Sequence, residues 1–212
     1  LDVFTHALEA YVSMLASDYT EGLSLKAIKN VFEYLPRAYE NGGKDVEARQ
    51  KMADASCIAG MAFANAFLGI NHSLAHKLGA FHHIPHGLAN ALLLTNVMRF
   101  NANPVPKKMG TFPQYKYPHT LERYCDCAKV IGICGKTDEE TLELFIAEIE
   151  RLKDTCGVPK YGIDEKEFLK TIDEMSEQAF DDQCTGANPR YPLISEMKQI
   201  YLDTYYGNKT NI

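Results

Sequence analysis

Helical periodicity runs along this chain with little to compete with it. "LDVFTHALEAYVSMLA" sets apolar residues three and four apart, and the spacing returns at 119–132, 137–155, 164–178 and 194–206. No stretch alternates with period two and no run of β-branched residues occurs, so the sequence offers a sheet no strands. The pattern predicts an all-α fold, a multi-helix bundle of roughly eight or nine helices.

Local signals divide the bundle. Asp18 or Thr20 is placed to cap a second helix, and Gly42-Gly43 to end it. Residues 45–68 grow richer in small and apolar side chains, as expected of a helix that enters the interior packed on Ala and Gly. In "PHGLANALLLTNVMRFN", Pro85 suits a first helical turn. Residues 101–118 carry four prolines and read as a surface loop, and "AFDDQCTGANPRYPL" is too rich in turn formers to be helical.

The 212 residues, 46% of them hydrophobic, suffice for one substantial core or two small ones. No repeat or linker divides 1–212, which reads as one domain, and a start at Leu1 within an amphipathic pattern reads as a piece of a longer chain. A net charge of −6 with scattered basic residues argues against a nucleic-acid partner. No run of about eighteen apolar residues suggests a membrane span. Six cysteines without a leader point to reduced thiols and a cytoplasmic protein. Cys125, Cys127 and Cys134 invite a zinc reading, but residues two apart on a helix point about 200° away from each other.

The chemistry lies elsewhere. "INHSLAHKLGAFHHIPHG" holds five of the seven histidines. His72 and His76 are one turn apart, as are Asp2 and His6, so each pair can reach one point or simply support its helix. A turn through Gly79 and the residues after it could fold His86 back toward His72. These rings lie between apolar runs, where unpaired polar groups are costly and an ion would satisfy them. Asp2, His6, His72 and His86 would make a one-carboxylate, three-histidine site for Fe(II), Zn(II), Mn(II), Co(II) or Ni(II). The absence of cysteine ligands favours a catalytic ion. Adjacent His82 and His83 point apart and read as loop histidines.

"LDVFTHALEAYVS" and "AGMAFANAFLGINHSLAHKLGAFHHIPHGLANALLL" resemble the iron-dependent (group III) alcohol dehydrogenases. With "AFDDQCTGANPRYPLISEMKQIYLDTYYG", the chain is most similar to the C-terminal alcohol dehydrogenase part of the bifunctional acetaldehyde–alcohol dehydrogenases. The resemblance puts the metal ligands on the same quartet, with Fe(II) foremost. It puts the family's non-ligand histidine, beside the nicotinamide, on His76, and an aromatic neighbour of the substrate pocket on Phe63. Cys184 matches a loop that returns to the active site, with an interhelical turn as its alternative role. The implied reaction is reversible hydride transfer between a primary alcohol and NAD, running from acetaldehyde to ethanol.

One departure is plain: the sequence has no glycine-rich strand-to-helix motif to cradle a dinucleotide. The resemblance therefore implies the metal-binding half, partnered by an N-terminal α/β dinucleotide domain of the same protein, with the half alone inactive. It also implies a homo-oligomer or filament. Two alternatives are an all-helical metal phosphohydrolase, whose adjacent His-Asp pair this sequence lacks, and a helical assembly module using the aromatic "IYLDTYYG". Tyrosines at helical spacing more readily close a core.

Overall fold

The structure, a computed structural model, describes residues 1–104, 120–160 and 162–212, so most of the expected 101–118 loop lies outside it. The described residues form nine α-helices, one 3-10 turn at Thr185–Ala187 and no strand. The helices are α1 (Asp2–Val12), α2 (Asp18–Asn41), α3 (Val46–Ala66), α4 (Ile70–His82), α5 (His86–Ala102), α6 (Thr120–Val130), α7 (Asp138–Thr155), α8 (Glu165–Phe180) and α9 (Ile194–Tyr206).

Two apolar cores share one helix. The first joins α1, α2, α3, α6 and α7 around Phe4, Ile28, Phe145 and Ile149; the second joins α4, α8 and α9 around Leu74, Phe168, Met175 and Ile200. Helix α5 serves both, giving Leu94 and Met98 to the first core and Ala89, Leu93, Val97 and Phe100 to the second. Its apolar residues are spread over more than one face, as expected of a helix packed between two cores. Helix α3 packs through a stripe of alanines, 48, 55, 59, 62 and 66, whereas Gly60 takes no part and Met61 is exposed.

Several boundaries differ from expectation. Ser17 caps α2, and its N–H donates to Thr20 Oγ1 at 2.9 Å in a capping box, so Thr20 is the third residue of the helix rather than the cap. Pro85 stands just before α5 rather than within its first turn. Helix α4 runs straight through Gly79 to His82 and stops where His83 takes a left-handed conformation, φ 56°. Gly79 serves close approach instead of a turn. A Cβ there would lie 3.1 Å from the carbonyl oxygen of Ile84, so the glycine lets the returning chain pass nearby. His82 is thus helical, and its Nε2 pairs with Thr171 Oγ1 at 2.9 Å; the exposed His83 is the residue that lies in the turn.

The tyrosines of α9 divide. Tyr201 is buried and donates to the Leu74 carbonyl at 2.7 Å, Tyr205 stacks on Phe168, and Tyr206 stays at the surface. Among the described residues no single helix is long and apolar enough to cross a membrane. Helices α3 and α4 reach that length together but are bent by 108° where they meet.

Candidate metal centre

The bend between α3 and α4 builds one wall of the site. Phe67 ends α3 at φ 65°, with its N–H on the Phe63 carbonyl at 2.8 Å. The chain turns and offers the first amides of α4 to two buried acceptors. Ile70 N–H donates to Asn188 Oδ1 at 3.1 Å, and Asn71 N–H to Glu9 Oε1 at 2.7 Å. A carboxylate at a helix N-terminus satisfies otherwise orphaned donors and complements the helix dipole. Gly69 is required here, because a Cβ would sit 2.6 Å from Asn188 Oδ1 and 2.9 Å from Glu9 Oε1. The second oxygen of Glu9 accepts the Nδ1 proton of His72, which locks that ring.

Across this wall lies the start of α1. Asp2, His6, His72 and His86 each offer a ligand atom, and the four atoms lie within 4.8 Å of one another. His6 donates from Nδ1 to the Asp2 backbone carbonyl at 2.7 Å. With both Nδ1 atoms committed as donors, the Nε2 lone pairs of His6 and His72 face each other across 3.2 Å. Two lone pairs so placed repel, and a cation between them would relieve that repulsion. His86 Nε2 stands 3.6 Å from Asp2 Oδ1.

Burial is the main influence that lowers the pKa of both His6 and His86 below the ordinary histidine value. The nearby Asp2 opposes it in each case, and the charge of His72 adds to it. Neutral imidazoles are what metal binding requires. The His72 side chain is 1% exposed and that of His86 42%, so the group is walled on one side and open on the other.

The other expected residues surround this group. Phe63 lies against His6, with ring centroids 4.7 Å apart. His76 stacks on His86 at 5.5 Å and donates from Nδ1 to Asp182 Oδ2 at 3.0 Å. Cys184 is buried, and its N–H binds Asp182 Oδ1 at 3.1 Å. Burial foremost, with the Asp182 charge, pushes its thiol up to about 12, so at neutral pH it is neither thiolate nor nucleophile. His76, Asp182 and Cys184 are close enough to resemble a second metal group, but the Lys77 ammonium already meets Asp182 at 3.0 Å. The trio of Cys125, Cys127 and Cys134 is not among the candidate metal groups of the described residues. Cys125 and Cys127 are buried, with their thiol pKa values raised by desolvation, and Cys134 is exposed.

Glu9, Asn71, Asn90, Asp182 and Asn188 are the site residues that sequence reasoning misses. Glu9 carries a signal, since it lies three residues beyond His6, within the buried stretch of α1. Asn90 follows His86 by one turn, whereas Asp182 and Asn188 sit among turn formers that point nowhere in particular.

The profile described as "Fe-containing alcohol dehydrogenase family, C-terminal" matches residues 1–205. The chain is 54% identical to the bifunctional aldehyde-alcohol dehydrogenase AdhE of Escherichia coli (strain K12), over 98% of this chain and 24% of that protein. It is 43% identical to the NADPH-dependent butanol dehydrogenase of Clostridium saccharobutylicum, over 100% of this chain and 51% of that one. Among solved structures, the iron-containing alcohol dehydrogenase of Thermococcus thioreducens superposes with a TM-score of 0.82 at 34% identity. That match covers 97% of this chain and 49% of that one. The chain belongs to the iron-containing alcohol dehydrogenase family and corresponds to its helical, C-terminal part.

Proposed function

We propose that Asp2, His6, His72 and His86 hold one divalent ion, Fe(II) foremost with Zn(II) as an alternative, at the centre of a reversible acetaldehyde–ethanol interconversion. The observation that carries this is the pair of Nε2 atoms facing each other at 3.2 Å while both Nδ1 protons are engaged elsewhere. Family membership supplies the reaction class and decides against a phosphohydrolase. When bound, the ion supplies Lewis acidity toward an alcohol or aldehyde oxygen.

The rest falls to side chains of this chain. Glu9 holds the His72 ring and its tautomer, and so raises the ligand's basicity. Phe63 walls the His6 side. Asp182 keeps the His76 proton on Nδ1, leaving Nε2 to exchange protons between site and solvent; the His76 side chain is 31% exposed. Cys184 fills the loop beneath as a neutral thiol.

Hydride exchange falls to NAD(H), which an α/β domain N-terminal to these residues would bind, since nothing in this sequence cradles a pyrophosphate. Six free cysteines suit the cytoplasm. We also infer assembly of the whole protein into a homo-oligomer or filament. Metal titration tests the centre. The wild-type protein should bind one divalent ion, and His72→Ala or Asp2→Ala should lose most of the affinity; unaltered binding in both variants would sink the assignment.

A further inference from the structure

We propose that Asn90 is a positioning residue of this centre, whose side-chain amide holds the Asp2 carboxylate in place toward His72 and His86 and thereby sets how tightly the ion is held; this rests on the metal reading above. Asn90 is fully buried, one turn beyond His86 on α5. A backbone group decides which way its amide points. The Asn90 carbonyl oxygen can only accept, and it faces the Asn71 side chain at 3.2 Å, so the facing atom of Asn71 is Nδ2. That nitrogen also lies 2.9 Å from the Asn90 side chain, which must therefore present Oδ1 to it. The Asn90 Nδ2 is left turned toward the ligands, 2.7 Å from Asp2 Oδ1 and 3.1 Å from both His72 Nε2 and His86 Nε2.

An amide NH2 has two hydrogens, and three acceptors face it. The shorter, charge-assisted bond goes to Asp2. The other hydrogen is shared between two imidazole nitrogens at equal distance while no cation is bound, and a cation that takes their lone pairs displaces it. The nitrogen is a donor and not a ligand, so Asn90 acts through Asp2. Commitment of the imidazole lone pairs to a cation leaves the Asp2 bond intact. That bond matters because the Asp2 side chain is 36% exposed, and among the described residues its carboxylate hydrogen-bonds to Asn90. Without it the carboxylate is free to swing toward water.

The whole protein, stripped by a chelator, is titrated with Zn(II) against a chromophoric competitor and then loaded with Co(II) to read its ligand-field absorption. Asn90→Leu keeps the shape and removes every hydrogen bond. Zn(II) should bind about 10–100-fold more weakly, as for other supporting partners of metal ligands, and the Co(II) bands should shift. Asn90→Ala is made in parallel, so that one folded variant suffices. Wild-type Zn(II) affinity and Co(II) bands in a folded variant would overturn the positioning role and leave the metal centre standing. A wild-type protein that takes up no Zn(II) would overturn both.

Discussion

His76 shows how one hydrogen bond sorts like residues into unlike roles. It lies one turn from His72, yet its Nδ1 is tied to Asp182 whereas that of His72 is tied to Glu9. The first arrangement leaves an Nε2 beside the site and near water; the second leaves one aimed into it. In the active enzyme, His76→Ala should lower turnover by about 10²-fold or more and alter its pH dependence, the range general acid–base groups supply. A pH–rate profile identical to wild type would end the relay assignment. Asp2, His6, His72 and His76 are legible in the sequence because a helix puts residues four apart on one face. His86 is legible only as a returning residue, by way of a turn expected from Gly79 onward that begins only at His83. Glu9 is marked only by its place three residues beyond His6; its role is not legible, because a carboxylate's meaning depends on its partner, and His72 is 63 positions away.

Helices are the most legible elements, since their existence follows from apolar spacing alone. The bend between α3 and α4 is not legible. No proline marks it, and it rests on a left-handed Phe67, a conformation that costs about 1–3 kcal/mol in a non-glycine residue. Contacts made after the bend offset that cost: Glu9 and Asn188 receive the first amides of α4, and Ser13 Oγ donates to the Ala66 carbonyl. The joint therefore tolerates no added bulk. Gly69→Ala drives a Cβ against two buried, hydrogen-bonded side-chain oxygens and should destabilise the protein by about 1–3 kcal/mol. Denaturant unfolding reads the loss, and a wild-type midpoint would show that α4 can slide to make room. Gly79 misleads for a related reason: glycine serves close approach as well as turns, and sequence does not separate the two uses.

At the scale of the molecule, the proposed ligands bridge the two cores. Asp2 and His6 stand on α1 in the first core, His72 on α4 in the second, and His86 on the helix both share. The chain spans 24% of the Escherichia coli relative and 51% of the butanol dehydrogenase, and no phosphate cradle occurs in its sequence. By itself it should take up a divalent ion yet oxidise little or no ethanol with NAD, as followed by NADH absorbance. Robust turnover would mean that the dinucleotide binds among these helices. Of these residues, Asp2 and His6 leave the ribosome before His86, and Asn188, which seats the first turn of α4, follows some hundred residues after that. A nascent chain thus carries two of the proposed donors before their counterparts exist, so that ion capture at the proposed centre would await the later helices.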